Sequence, residues 1–133
     1  MPINREENKN TTSTKESVKE LHDLIIEAMQ DRKGSKITDI NLEVLETAPA
    51  RRFIICEGKS TTQVSAIADN IQDEVREKSG RKPYHTDGYR NSQWIIIDYG
   101  DIMAHVFIPE AREQYNLEDL WNDADITRFA DLD

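Results

Sequence analysis

A single cysteine, Cys56, stands among 133 residues. That excludes an internal disulfide and any metal site built from several cysteines. Its neighbours, RFIIC, mark it as a buried thiol. No apolar run approaches the roughly 18 residues that would cross a membrane, and no secretory leader follows Met1. A soluble, cytoplasmic chain with no membrane partner is expected. Histidine is scarce too: His22, His85 and His105 show neither H-x-x-x-H nor H-E-x-x-H spacing. Gly58 precedes a helix start at Ser60, but G-x-x-x-x-G-K-[ST] and G-x-G-x-x-G are both absent, which argues against a phosphate loop. Basic residues run out towards the C-terminus. From residue 98 to 133 there are ten acidic residues and two basic ones, Arg112 and Arg128, in a chain of net charge −9. Such a surface repels phosphate, so no direct nucleic-acid binding is expected there. It suits a basic protein partner, or simply keeps the domain in solution.

What is present centres on residues 94–109, WIIIDYGDIMAHVFIP. They read as two strands joined by a tight turn. With Tyr99 and Gly100 as the loop, Asp98 lies opposite Asp101 and Trp94 opposite His105. Alternation then puts Ile95, Ile97, Ile102, Ala104 and Val106 on one aliphatic face, suited to packing under helices. The other face carries Trp94, Ile96, Asp98, Asp101, Met103, His105 and Phe107. Two features of this register break local rules. Like charges oppose each other, at a cost of roughly 0.2–1 kcal/mol, and Tyr99 occupies a turn position that favours glycine or asparagine. Such breaks mark candidate functional positions. The plainer reading makes Trp94 and Phe107 core under the C-terminal segment, with solvated turn aspartates.

The remainder frames that hairpin. Residues 1–14 lack apolar periodicity and read as a disordered tail. A helix follows, with capping boxes at Ser13 or Ser17, a stripe of Val18, Leu21, Leu24, Ile25, Ala28 and Met29, and Gly34 as its stop. Residues 36–45 alternate as a strand with one buried face, and residues 52–56 read as a strand covered on both. Ser60 and Gln63 cap a second helix, which buries Val64, Ile67, Ala68, Ile71 and Val75 and closes at Gly80. Residues 82–86 form a short strand before an Asp87-Gly88 turn. Pro109 opens a last helix, and Leu117, Leu120, Trp121 and Ala124 add a further one-sided turn. The order α-β-β-α-β-β-β-α predicts a single α/β domain over residues 15–125, with a mixed sheet of about five strands flanked by helices. Residues 126–133 are expected as an acidic tail, with Ile126 and Phe129 able to pack back.

Asp98 and Asp101 are the obvious carboxylate pair, able in principle to hold Mg²⁺ with a nucleotide or to raise one pKa. A nucleophile and phosphate-binding loops are missing, so no enzyme, cofactor or metal is expected. Trp94, Tyr99, Met103, His105 and Phe107 beside two aspartates look more like anchors of a protein interface.

The run from Gly88 to Ala124, G-x-x-x-x-x-W-I-I-I-D-Y-G-D-I-M-A-H-V-F-I-P-E-x-R-x-x-Y-x-L-E-x-L-W-x-D-A, resembles the ribosomal silencing factor (Iojap-like) family. So does S-x-x-Q-V-x-A-I-A-D from Ser60 to Asp69. The resemblance implies an α/β fold distantly like nucleotidyltransferases, binding to the large ribosomal subunit through its protein fourteen, and steric blocking of small-subunit joining. It also implies a possible homodimer. A large-subunit assembly role without silencing is the alternative, and a metal-dependent nucleotide-handling enzyme on the same fold is the rival from another class. Trp94, Asp98, Tyr99, Gly100, Asp101, His105, Phe107, Arg112 and Tyr115 match the family pattern. Of these, Trp94, Asp98, Tyr99, Asp101 and His105 are the expected partner contacts, while Gly100 and Trp121 are expected to be structural. Arg51 and Arg52 depart from the pattern: they stand where the family commonly has an acidic residue and an aromatic, and so reverse the local charge.

Overall fold

The computed structural model describes residues 15–132. The polar stretch 1–14 and the cap at Ser13 lie outside the described residues. Helix α1 (Lys15–Asp31) is followed by β1 (Ser35–Asn41), β2 (Arg52–Glu57), α2 (Thr61–Ser79), β3 (His85–Asp87), β4 (Trp94–Asp98) and β5 (Ile102–Phe107). The chain then forms α3 (Pro109–Tyr115), the single turn α4 (Leu117–Leu120) and β6 (Asp125–Arg128). Six strands make one sheet in the order β3-β4-β5-β2-β1-β6. Only the β2–β5 pair is parallel; its neighbours on both sides are antiparallel. The α/β class with a mixed sheet is as expected.

The amphipathic stripes dictate the layers. Val18, Leu21, Ile25, Ala28 and Met29 of α1 and Val64, Ile67, Ala68, Ile71 and Val75 of α2 pack on one sheet face. There they bury Ile37, Ile54, Cys56, Ile95, Ile97, Ile102, Ala104 and Val106. Burying each such aliphatic side chain contributes about 1.5–3 kcal/mol. The second face is covered over β1 and β2 and onto the end of β5, where His105 and Phe107 are buried. Ile40, Phe53, Ile55 and Phe107 lie under Leu42, Ala111 and Leu117, with Trp121, Ala124 and Ile126 at the margin.

Several local expectations change. Asp125–Arg128, expected within and beyond the domain's end, pairs antiparallel with β1 and supplies the sixth strand. Ser17 lies inside α1 rather than capping it. At the other end of α1, Lys33 takes the left-handed conformation (φ 60°). Gly34 instead keeps a close approach, because a Cβ there would meet the Met29 carbonyl at 3.0 Å and Cys56 Sγ at 3.2 Å. β1 ends at Asn41, earlier than expected, and its register breaks between Ser35 and Thr38, where Lys36 has φ 51°.

The start of α2 forms as its sequence requires. Gln63 N–H donates to Ser60 Oγ at 3.2 Å, and Gln63 Oε1 accepts from Lys59 N–H at 2.6 Å. The same amide donates to the Arg32 and Lys33 carbonyls, which ties the beginning of α2 to the end of α1.

Gly88 fixes the entry to β4. Its φ is +94°, and a Cβ would sit 1.9 Å from the Trp94 carbonyl oxygen. Gly88→Ala is therefore expected to cost more than about 2 kcal/mol through combined strain and clash. The reading is a lower urea midpoint at unchanged slope. A midpoint equal to wild type would mean that the Trp94 backbone can yield.

Candidate functional site: the half-open sheet face

The β4–β5 hairpin has the predicted faces but a register two residues away from the predicted one. Trp94 pairs with Phe107, Ile96 with His105, Ile97 with Ala104 and Asp98 with Met103. Tyr99 N–H donates to the Ile102 carbonyl at 2.9 Å, so the loop residues are Gly100 and Asp101 rather than Tyr99 and Gly100. Gly100 takes the positive φ, +87°, as suits the first central position of a type II′ turn. Both apparent rule breaks thereby disappear. The aspartates do not oppose each other, and Tyr99 needs no left-handed backbone. Because the shift is an even number of residues, no side chain changes face.

The five expected contact residues fall into three environments. Trp94 is half-buried at the rim of the second face. Its ring lies 5.0 Å from Phe107 and 4.6 Å from Tyr115, centroid to centroid. Its Nε1–H donates to His105 Nδ1 at 3.0 Å. His105 is buried among Phe53, Trp94 and Phe107, with the Phe53 centroid 4.5 Å away. Burial holds its pKa down to about 3, and its Nε2 has no partner among the described residues. Tyr99 is wholly buried on the opposite, helix-packed face, and burial pushes its hydroxyl up to about 12. In this conformation neither Tyr99 nor His105 offers surface to a partner; His105 acts on Trp94 by orienting its indole.

Asp98 is half-buried, and its carboxylate accepts the Gly100 N–H at 2.7 Å, an Asx contact that closes the turn. Asp101 lies in the loop between two cations, with Arg51 Nε and Arg81 Nη2 each at 3.9 Å. Its carbonyl accepts from the backbone N–H groups of Arg51 and Arg52. Among the described residues, Glu27, Asp31 and Glu74 on the helices form a group of three acidic side chains close enough to converge on one ion. The charge reversal expected at Arg52 is compensated internally, because its guanidinium pairs with Asp39 at 2.6 Å and Glu43 at 3.4 Å.

The uncovered half of the second face is broader than the hairpin. β3 pairs His85 with Asp98 and Asp87 with Ile96, so His85 and Asp87 join Trp94, Ile96, Asp98 and Met103. All six are half-buried or exposed. The β3 contribution was readable only from pairing, since a three-residue strand carries little periodicity. Tyr115 stands one helical turn from the buried Ala111 and is half exposed against Trp94. A groove of about 380 Å³ opens beside these two rings, lined also by Gln93, Glu110 and Gln114. The surface is thus an aromatic and aliphatic patch edged by carboxylates. Such a patch can desolvate against a basic protein and steer it electrostatically.

A family model described as ribosomal silencing factor during starvation matches residues 15–133. The ribosomal silencing factor RsfS of Halalkalibacterium halodurans is 37% identical over 108 residues, 81% of this chain and 91% of the relative. That of Bacillus subtilis is 38% identical over 106 residues, 80% of this chain and 86% of the relative. A crystal structure from Chromobacterium violaceum superposes with a TM-score of 0.74 at 34% identity, covering 78% of this chain and 85% of the other. The chain belongs to the ribosomal silencing factor family. The chloroplastic Iojap protein of maize is a further relative, 38% identical over 74 residues, though those span only 56% of this chain and 32% of the plant protein. Among the described residues no helix is long and apolar enough to cross a membrane.

Proposed function

We propose that this chain is a cytoplasmic, non-enzymatic ribosomal silencing factor. It binds the large ribosomal subunit through its protein fourteen and thereby occludes the small subunit. The observation that carries the reading is the half-open sheet face around Trp94 in a chain of this family. An apolar patch edged by Asp87, Asp98 and Glu110 is complementary to a basic ribosomal protein, and two rings at its rim, Trp94 and Tyr115, supply anchors of the kind that dominate interface energy. Occlusion is then a consequence of where the protein sits and needs no catalytic group.

The test is sedimentation of the purified chain with isolated large subunits, then with small subunits added. Co-sedimentation with the large subunit and loss of joined particles is the expected result. Binding without any effect on joining would favour an assembly role, and failure to bind either subunit would remove the reading. Trp94→Ala should weaken large-subunit binding by about 30-fold or more, as for an interface hot spot of about 2 kcal/mol. Far-ultraviolet circular dichroism should stay near wild type. Collapse of the fold would instead make Trp94 a core residue.

A further inference from the structure

The acidity of the chain is uneven in space as well as in sequence. Residues 76–90 hold five cations (Arg76, Lys78, Arg81, Lys82, Arg90) against two carboxylates (Glu77, Asp87). Three of the cations converge on a groove of about 460 Å³ between the last turns of α2 and the segment entering β3. Gln72 and Arg76 form one wall; Arg81, Lys82, Tyr84 and His85 belong to the other. Arg76 spends one nitrogen on Asp73 at 3.1 Å and remains 49% exposed. Arg81 donates to the Tyr99 carbonyl at 3.2 Å and faces Asp101 only at 3.9 Å. Lys82 and His85 have no ion pair or side-chain hydrogen bond among the described residues. Tyr84 is 79% exposed. Its ring lies over the turn at Gly100, where an added Cβ would come within 2.8 Å of it.

The basic residues at the end of α2 partly serve the helix dipole. That role does not account for Arg81 and Lys82 beyond the cap at Gly80, nor for a large ring left in solvent. We infer that this groove binds the phosphodiester backbone of RNA, with Tyr84 offering a face on which a base stacks. Cations lining a groove together with an exposed aromatic ring are the combination by which single-stranded nucleic acid is held without sequence preference. An acidic protein segment would use the cations but not the ring. The acidic residues from 98 onwards oppose such binding only within a Debye length, about 8 Å at physiological salt. Asp73 and Asp101 face the groove's arginines, and Asp98 pairs with His85 across the β3–β4 ladder. The inference is separable from the docking surface proposed above: His85 borders both, but the cations and the ring that carry the inference lie outside that patch, and no ribosome is needed to test it.

The test uses the full chain and a fluorescein-labelled single-stranded oligouridylate, read by anisotropy at about 50 and about 200 mM salt. Wild type should bind at the lower salt and weaken steeply at the higher. Arg76→Glu combined with Lys82→Glu should bind at least about tenfold more weakly and with a flatter salt dependence, since each lost phosphate contact removes roughly 0.7 from the slope. Tyr84→Ala should weaken binding while leaving the slope unchanged. Lys82→Gln alone, a neutral change at an unpaired residue, keeps the test open if the double variant fails to fold. Absence of oligouridylate binding at the lower salt would overturn the inference, as would equal binding by the charge variants. So would full competition by polyglutamate together with indifference to Tyr84→Ala, which would identify an acidic-protein site instead.

Discussion

Arg112→Met is expected to lower the stability of the domain by about 3–5 kcal/mol, the usual cost of removing one partner from a buried ion pair. Arg112 sits on α3, only 8% exposed, and every part of its guanidinium is engaged. Nη1 donates to the Lys36 carbonyl at 2.8 Å and lies 3.3 Å from Glu57 Oε2. Nη2 donates to Thr38 Oγ1 at 2.9 Å and to Glu118 Oε2 at 3.0 Å, while Nε reaches Glu118 Oε1 at 3.4 Å. One side chain thereby joins β1, β2, α3 and α4. Methionine restores the volume but leaves Glu57, itself 8% exposed, as a charge with no cation beside it. The measurement is urea denaturation, supported by a fall in Tm of roughly 15–25 °C for a domain of this size. Arg112→Lys should fall between the two, because an ammonium cannot reproduce the planar fork. Adding Glu57→Gln to Arg112→Met should recover part of the loss. If the double variant were less stable than Arg112→Met alone, the stranded carboxylate would not be the cause.

The same arginine shows where the sequence is silent. In the chain it is one of two cations in an acidic C-terminal third and reads as a surface residue. Its partners Lys36, Thr38 and Glu57 lie far away in sequence, and nothing local announces them. By contrast, the two helix stripes, the Ser60–Gln63 cap and both faces of the hairpin followed from spacing, because burial on one side forces a period of 3.6 or 2. Register is a finer matter. Sliding the hairpin by two residues keeps every face, so alternation could not choose between the two registers; the conformational demand of Gly100 did. Strand β6 escaped for a related reason. It is an edge strand in which only Ile126 is part-buried, and it is held to β1 largely by backbone pairing that leaves no hydrophobic mark. Tyr99 was misread as a surface group because a tyrosine beside a turn resembles an interface residue. Its burial follows from sharing the odd-numbered face of β4 with Ile95 and Ile97. Of the candidate site, Trp94 and its setting were legible, whereas the contributions of β3 and Tyr115 required the tertiary structure.

His105 should make the fold sensitive to acid. It is 2% exposed, and burial holds its pKa down to about 3, whereas the unfolded chain titrates near 6.5. Between those values the unfolded state binds a proton that the folded state refuses. The stability this residue provides as a neutral ring is complete above pH 6.5 and is lost as pH falls towards 3, at about 1.4 kcal/mol per pH unit. Over the two units below 6.5 that amounts to roughly 3 kcal/mol, a large fraction of a small domain's stability. His22 acts in the opposite sense. The Asp39 carboxylate, 3.3 Å from its Nε2, raises its pKa against the effect of burial, so its contribution is complete below 6.5 and is lost as pH rises through the folded value. The two histidines thus act on stability in opposite directions on either side of pH 6.5. The check is the urea midpoint of wild type and His105→Phe from pH 7 down to pH 4.5. Phenylalanine keeps the edge contact with Phe53 and the stack with Phe107, and the half-exposed Trp94 indole can turn its N–H to water. The variant should therefore lose some stability at neutral pH and yet show a visibly shallower acid slope. Parallel slopes would mean that protonation of the buried imidazole is not what destabilises the domain.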